Sequence, residues 1–249
     1  MMADATRGAH WRGQPVEAVL FDLDGTLLDT AADIALALNR TLAEYGWSPA
    51  AQNDVRRMIG QGSPILIERT AAAQGRTLDD ASQAAMVERF FHHYGALQET
   101  NEFDALPYPG ACESLRRLHE AGLRIGVVTN KQRRFAQGLL ERLDLIGWVD
   151  LVVGGDSCER RKPDPQPLLF ACERLGVAPA RTLMVGDSIN DVKAARGANI
   201  PVVCVPYGYN EGQDPRELPC DALIDTLADL PGLLMPVARA NRGGEEDSR

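Results

Sequence analysis

Five short apolar runs punctuate this chain, at Val19–Phe21, Leu123–Thr129, Asp150–Val153, Thr182–Gly186 and Val202–Val205, most of them β-branched and each closed by turn residues. Runs of that kind read as strands buried on both faces, the pattern of a parallel sheet. Helical patterns at 110–121, 132–143, 165–175 and 189–198 precede or separate the last four. Strands alternating with helices need crossover connections. They predict an α/β fold, a doubly wound parallel sheet of Rossmann-like form whose ligands bind beyond the carboxyl ends of the strands.

Residues 30–105 break the alternation. Thr30 is placed to cap a helix running through Ile34, Leu38 and Leu42, and further helical patterns cover 54–58, 64–74 and 80–97. A helical insertion directly after the first strand can fold over the strand ends as a cap. Pro107, Pro109 and Gly110 mark the return to the sheet. The expected division is therefore a core of 15–29 and 106–235 and a helical cap of 30–105. The terminal segments 1–14 and 236–249 are expected to be disordered, being too polar to bury much surface.

A chain of 249 residues, 45% apolar and 24% charged, can bury a substantial core. Its 26 cationic and 35 anionic side chains give a net charge of −9, which disfavours nonspecific nucleic-acid binding. An anionic ligand would then have to be drawn by a local cation or a metal. Lysine is scarce, at Lys131, Lys162 and Lys193 alone. Five cysteines without a Cys-x-x-Cys pair or zinc-ligand spacing suit a reducing cytoplasm. Residues 1–15 lack the apolar segment of a secretory signal, and no run approaches the roughly 20 apolar residues of a membrane span.

The first strand leads into Asp22-Leu23-Asp24-Gly25-Thr26. In an extended backbone, residues i and i+2 point to the same side, so both carboxylates face one small volume. Like charges held that close repel unless a cation or a shared proton separates them. Such a pair binds a hard divalent cation, keeps one acid protonated, or does both in turn; on its own the stretch is also ordinary turn chemistry. Three other segments reach the same predicted sheet edge: Thr129-Asn130, Gly186-Asp187-Ser188-Ile189-Asn190-Asp191, and Lys162 within Arg161-Lys162-Pro163-Asp164-Pro165. A hydroxyl and backbone amides can hold phosphate oxygens, an ammonium neutralises them, and several carboxylates can hold one oxygen-seeking cation. Phosphoryl transfer needs little more, because its catalysis is mostly positioning and charge neutralisation.

Together FDLDGT, VVTN, KPDP and VGDSINDV resemble the motif set of the haloacid dehalogenase superfamily of aspartate-nucleophile phosphatases, over roughly residues 16–232. The resemblance implies that Asp22 is the nucleophile forming an aspartyl phosphate and Asp24 the general acid and then base. It implies that Thr129 and Lys162, with Asn130 alongside, hold the phosphoryl group. Mg²⁺ is implied on Asp22, the backbone carbonyl of Asp24, and Asp187, with Asp191 in support. Dehalogenase members lack an acid at the position of Asp24, and the pumping ATPases have Asp-Lys-Thr-Gly-Thr here, so both are excluded.

Finer matches at 21–29, 59–64, 153–156, 160–167 and 205–210 resemble the bacterial phosphoglycolate phosphatase family, which implies hydrolysis of 2-phosphoglycolate. The alternatives within the superfamily are a sugar phosphatase, an N-acetylmuramate 6-phosphate phosphatase, a pyrophosphatase or a β-phosphoglucomutase. A non-catalytic binding protein fits less well, because the residue set is complete. For a substrate carboxylate the cap offers Arg57, whose fork suits that group, and Gln61 in the Gly60-Gln61-Gly62 loop. The expected partner is a small phosphorylated metabolite, not nucleic acid or a membrane, met by a cytoplasmic monomer or homodimer. His92 and His93, one position apart on a helix, point differently and are expected to pack in the cap or lie on its surface.

Overall fold

The computed structural model describes residues 8–100 and 102–235. Its centre is a sheet of six strands: β1 (Ala18–Phe21), β2 (Arg124–Val128), β3 (Leu151–Val153), β4 (Thr182–Gly186), β5 (Val202–Cys204) and β6 (Ala222–Leu223). They run parallel in the spatial order β3-β2-β1-β4-β5-β6, the doubly wound arrangement expected from the alternation. The edge strand β6 was not legible. It is two residues long and half-buried, and its short run Ala222-Leu223-Ile224 is set between aspartates.

β1 shows why these strands read as continuous apolar stretches. Val19 and Phe21 face one side, packing with residues of helices α5 (Ala111–Glu120) and α6 (Arg133–Arg142), while Leu20 faces helices α7 (Gln166–Leu175) and α8 (Ile189–Gly197). With both faces covered, every position along the strand is apolar. The covering helices keep one apolar stripe each: α5 buries Ala111, Ser114, Leu115 and Leu118, spaced i, i+3, i+4 and i+7.

The insertion folds as four helices, α1 (Ala31–Glu44), α2 (Gln52–Met58), α3 (Ser63–Ala73) and α4 (Asp80–Glu99). They bury a cluster of their own that includes Leu38, Leu42, Val55, Ile67, Met86 and Leu97, joined by Phe135 from α6 and by Tyr209. Its two connections to the sheet lie side by side, Leu28–Asp29 pairing antiparallel with Leu106–Pro107. Thr30 stands at the N-cap of α1, yet its side chain makes no capping bond there. Its hydroxyl is drawn to a charged acceptor instead and donates to Asp24 Oδ1 at 2.6 Å.

One expectation about the termini needs correction. Part of the segment 1–14 is ordered: His10–Trp11 and Gln14–Pro15 form a hairpin, and Trp11, 7% exposed, packs in the same cluster as Val16 and β1. One aromatic side chain can anchor a polar segment because it buries so much apolar area, and a compositional reading averages that signal away. Residues 1–7 and 236–249 lie outside the described residues. Among those described, no helix is long and apolar enough to cross a membrane.

Candidate functional site

Strand register assembles the site. Phe21 is level with Val127 on β2 and with Val185 on β4, so Asp22, Thr129 and Asp187 emerge within a residue of one another at the carboxyl edge. β1 is also where the strand order reverses, β2 lying on one side and β4 on the other, which opens a crevice above it.

Asp22, Asp187 and Asp191 each offer an oxygen into one volume, all three within 4.8 Å of one another. Asp191 is completely buried in the first turn of α8, where the helix dipole favours an acid. Its Oδ2 accepts from the Ser188 amide at 3.1 Å and the Ser188 hydroxyl at 2.8 Å. Its Oδ1 accepts from Lys162 Nζ at 2.7 Å, and the same ammonium lies 2.9 Å from Asp22 Oδ1. Asp187 accepts from the Thr26 hydroxyl at 2.7 Å and from the Tyr209 amide at 2.6 Å. Gly25, Gly186 and Gly208 admit these acids. Gly25 has φ +91°, and a Cβ there would stand 2.5 Å from Asp187 Oδ2; a Cβ at Gly186 would stand 2.4 Å from Asp191 Cγ.

The cluster of three carboxylates therefore holds one ammonium, which contacts Asp22 and Asp191 but not Asp187. Burial pushes the Asp22 carboxyl up to about 7, Lys162 restraining the rise and Asp191 adding to it. Burial, then Asp191 and Asp22, likewise raise Asp187 well above the ordinary carboxylate range. Burial opposes the charge on Lys162, but Asp191 and Asp22 outweigh it and hold its proton more tightly than an ordinary lysine's. A buried, oxygen-only donor set with surplus negative charge fits a hard divalent cation, which would supply the missing positive charge.

That electrostatic imbalance predicts how metal binding responds to pH. A carboxyl raised from 3.8 to about 7 contributes stability below the lower value and loses it as pH rises through the upper one. A cation needs the ionised form and offsets that loss. The Tm increment from Mg²⁺ over chelator is expected to be larger near pH 8 than near pH 5.5, by roughly 4 °C or more. A flat or reversed dependence in calorimetry would count against Asp22 and Asp187 as ligands of a divalent cation.

Asp24 is held differently. Its Oδ1 accepts from Thr30 and, at 2.8 Å, from Lys131 Nζ, which also reaches Oδ2 at 3.0 Å. Lys131 is half-buried, its side chain 8% exposed, with its ammonium 4.6 Å from the centre of the Tyr94 ring. Burial opposes its charge, while Asp24 and Tyr94 beside it more than compensate and raise its pKa. Sequence reasoning did not place Lys131 in the site. Its one signal was a scarce lysine directly after Thr129-Asn130. Thr129 is buried and accepts from the Lys131 amide at 3.2 Å. Asn130 donates to the carbonyls of Gly60 at 2.9 Å and Lys162 at 2.8 Å, tying the cap loop to the loop that carries the lysine.

Between cap and core lies a cavity of about 50 Å³. Asp22, Asp24, Thr129, Asn130 and Lys131 line its floor, and Ile34, Ile59, Leu66, Phe90, Phe91, Tyr94 and Phe135 line the rest with Gly60, Gly62, Ser63 and Gln132. The two proposed cap ligands are not there. Arg57 is exposed and borders a separate groove with Arg56, Tyr209 and Asn210, while Gln61 donates to Glu211 Oε1 at 2.9 Å. On α2 the buried residue is Val55, and Arg57, two positions on, comes about 200° further round the helix and faces outward. His93 meets Glu44 at 2.9 Å on the outside of the cap.

A parallel α/β core whose strand ends carry paired aspartates, a buried lysine and an acidic cluster beneath a helical cap defines a class, and residues 19–205 match the family model described as haloacid dehalogenase-like hydrolase. The chain belongs to that family. Its relatives include the phosphoglycolate phosphatase of Nitrosospira multiformis, 42% identical over 221 residues that cover 88% of this chain and 96% of that protein. Another, the plasmid phosphoglycolate phosphatase of Cupriavidus necator, is 43% identical over 227 residues, 91% of this chain and 96% of that one. Among solved structures, a predicted phosphoglycolate phosphatase from Haemophilus somnus 129PT superposes with a TM-score of 0.80 at 30% identity, covering 86% of this chain and 96% of its own.

Proposed function

We propose that this protein is a Mg²⁺-dependent phosphoglycolate phosphatase that converts 2-phosphoglycolate and water to glycolate and orthophosphate. The observation carrying the proposal is one small cavity between cap and core that brings Asp22, Asp24 and Thr129 together over the buried Lys162 and acidic cluster. The relatives at about 40% identity carry the same activity in their names.

In the proposed reaction an Asp22 carboxylate oxygen bonds to phosphorus as the ester O–P bond breaks, and Asp24 gives its proton to the departing glycolate oxygen. Water then attacks phosphorus, Asp24 takes its proton, and the Asp22–phosphorus bond breaks to release phosphate. Thr129 and Lys162 hold and neutralise the phosphoryl oxygens. Mg²⁺ would be held by Asp22, Asp187 and Asp191, together with the backbone carbonyl of Asp24, and when bound would screen the repulsion between carboxylate and phosphoryl group. The apolar cap wall keeps bulk water from the reacting atoms. The net charge of −9 and the small cavity suit a small anion over a nucleic acid, and five free thiols suit the cytoplasm.

The test is phosphate release by the Mg²⁺-loaded protein on a panel of 2-phosphoglycolate, hexose phosphates, pyrophosphate and N-acetylmuramate 6-phosphate. The expected result is a kcat/KM for 2-phosphoglycolate at least about tenfold above every other member, a margin of roughly 1.4 kcal/mol in transition-state binding. A different preferred substrate would overturn the assignment.

A further inference from the structure

With Arg57 and Gln61 outside the cavity, nothing proposed from the sequence is left to meet a charge on the leaving group. Among the residues lining the cavity, the one cation is Lys131. Its ammonium is spent on Asp24, at 2.8 and 3.0 Å from the two carboxylate oxygens. A second feature has no structural explanation. Tyr94, 2% exposed and part of the cavity wall, has a hydroxyl without a well-formed hydrogen-bond acceptor, the Lys131 ammonium being the polar group beside it. Buried hydroxyls are almost always bonded, and an orphan beside a ligand cavity is a donor waiting for an acceptor.

We propose that Lys131 and Tyr94 form the subsite for an anionic carboxylate on the leaving alcohol, and that binding it transfers Lys131 from Asp24 to the substrate. This rests on the phosphoglycolate reading and names the groups that read the substrate's second charge. A carboxylate enclosed by Ile34, Phe90 and Phe91 without a cation would carry a large desolvation penalty. Lys131 removes that penalty, and Tyr94 contributes a charge-assisted hydrogen bond. The α3 N-terminus opens on the same cavity through Gly62 and Ser63, and its dipole favours an anion there. Asp24 keeps its place after the transfer because Thr30 still donates to it at 2.6 Å. It is then free of the ammonium and able to turn to the leaving oxygen. Recognition of the carboxylate thereby frees the Asp24 carboxylate from its ammonium, so that it can take up a proton from water and pass it to the leaving oxygen.

The experiment compares 2-phosphoglycolate with 2-hydroxyethyl phosphate, in which a neutral CH₂OH replaces the carboxylate. The readout is the ratio of their kcat/KM values. The wild-type ratio is expected to be about 100 or more, the size of a buried charge-assisted contact. Lys131→Met disturbs Asp24 for both substrates, but the ratio falls below about 10 only if the ammonium reads the carboxylate. Tyr94→Phe, which keeps the ring and the packing, is expected to lower the ratio roughly 3- to 10-fold. Wild-type protein with no preference between the two phosphates would defeat the phosphoglycolate reading itself. A wild-type preference that both variants retain in full would leave that reading standing and overturn the subsite.

Discussion

Asp22→Asn is expected to reduce kcat by roughly 10⁴-fold or more and to abolish acid-quenched phosphoryl labelling of the protein. The amide is isosteric but has no anionic oxygen to bond to phosphorus. The fold should tolerate it, since burial already pushes the Asp22 carboxyl up to about 7 and a neutral group is favoured in that position without metal. An unchanged or raised Tm beside the loss of turnover would separate chemistry from stability. Turnover above about 1% of wild type, or label retained at another residue, would refute Asp22 as nucleophile.

Lys162→Met is expected to damage both function and fold. Its ammonium is the cation between Asp22 Oδ1 at 2.9 Å and Asp191 Oδ1 at 2.7 Å, with a side chain 2% exposed. Removing one partner from a buried ionic cluster strands the others, and destabilisation of about 3–5 kcal/mol is expected by denaturant titration without metal. Added Mg²⁺ should recover much of that stability by replacing the missing charge. It should not recover turnover, because the phosphoryl oxygens still lack their ammonium, and kcat should stay at least about 100-fold below wild type. Full activity in Mg²⁺ would show that Lys162 serves stability alone.

The two effects differ because the acids and the lysine have different relations to the chain. Asp22, Thr129 and Asp187 each follow a buried strand, and a parallel sheet brings such ends to one edge whatever its helices do. Their proximity was therefore legible from period and order alone. Lys162 was legible through its motif, although its loop reaches the site by the tie from Asn130 to its carbonyl at 2.8 Å. The cap was harder to read. Arg57 and Gln61 stood in the right segment, but burial of Val55 set the rotation of α2 and turned Arg57 outward. Thr30 was read as a helix cap, and a carboxylate six positions back proved the stronger acceptor. Tyr209 lay in a matched segment, 205–210, but nothing in the sequence assigned its side chain a role. Its hydroxyl accepts from the amides of Thr30 at 2.7 Å and Ala31 at 3.0 Å, fixing the start of the cap from the far end of the chain.

The linear order of apolar runs and helical stripes determined the sheet, the edge at which ligands bind and the acids that stand there, because strand periodicity and parallel topology are local properties repeated along the chain. Tertiary structure alone decided which cap residues face the cavity. Lys131 meets Asp24 and Tyr94 across 107 and 37 positions of the chain. Such contacts depend on how one packed helix is rotated against another. That rotation is chosen by the sum of the buried contacts on both sides, which no single stretch of sequence contains.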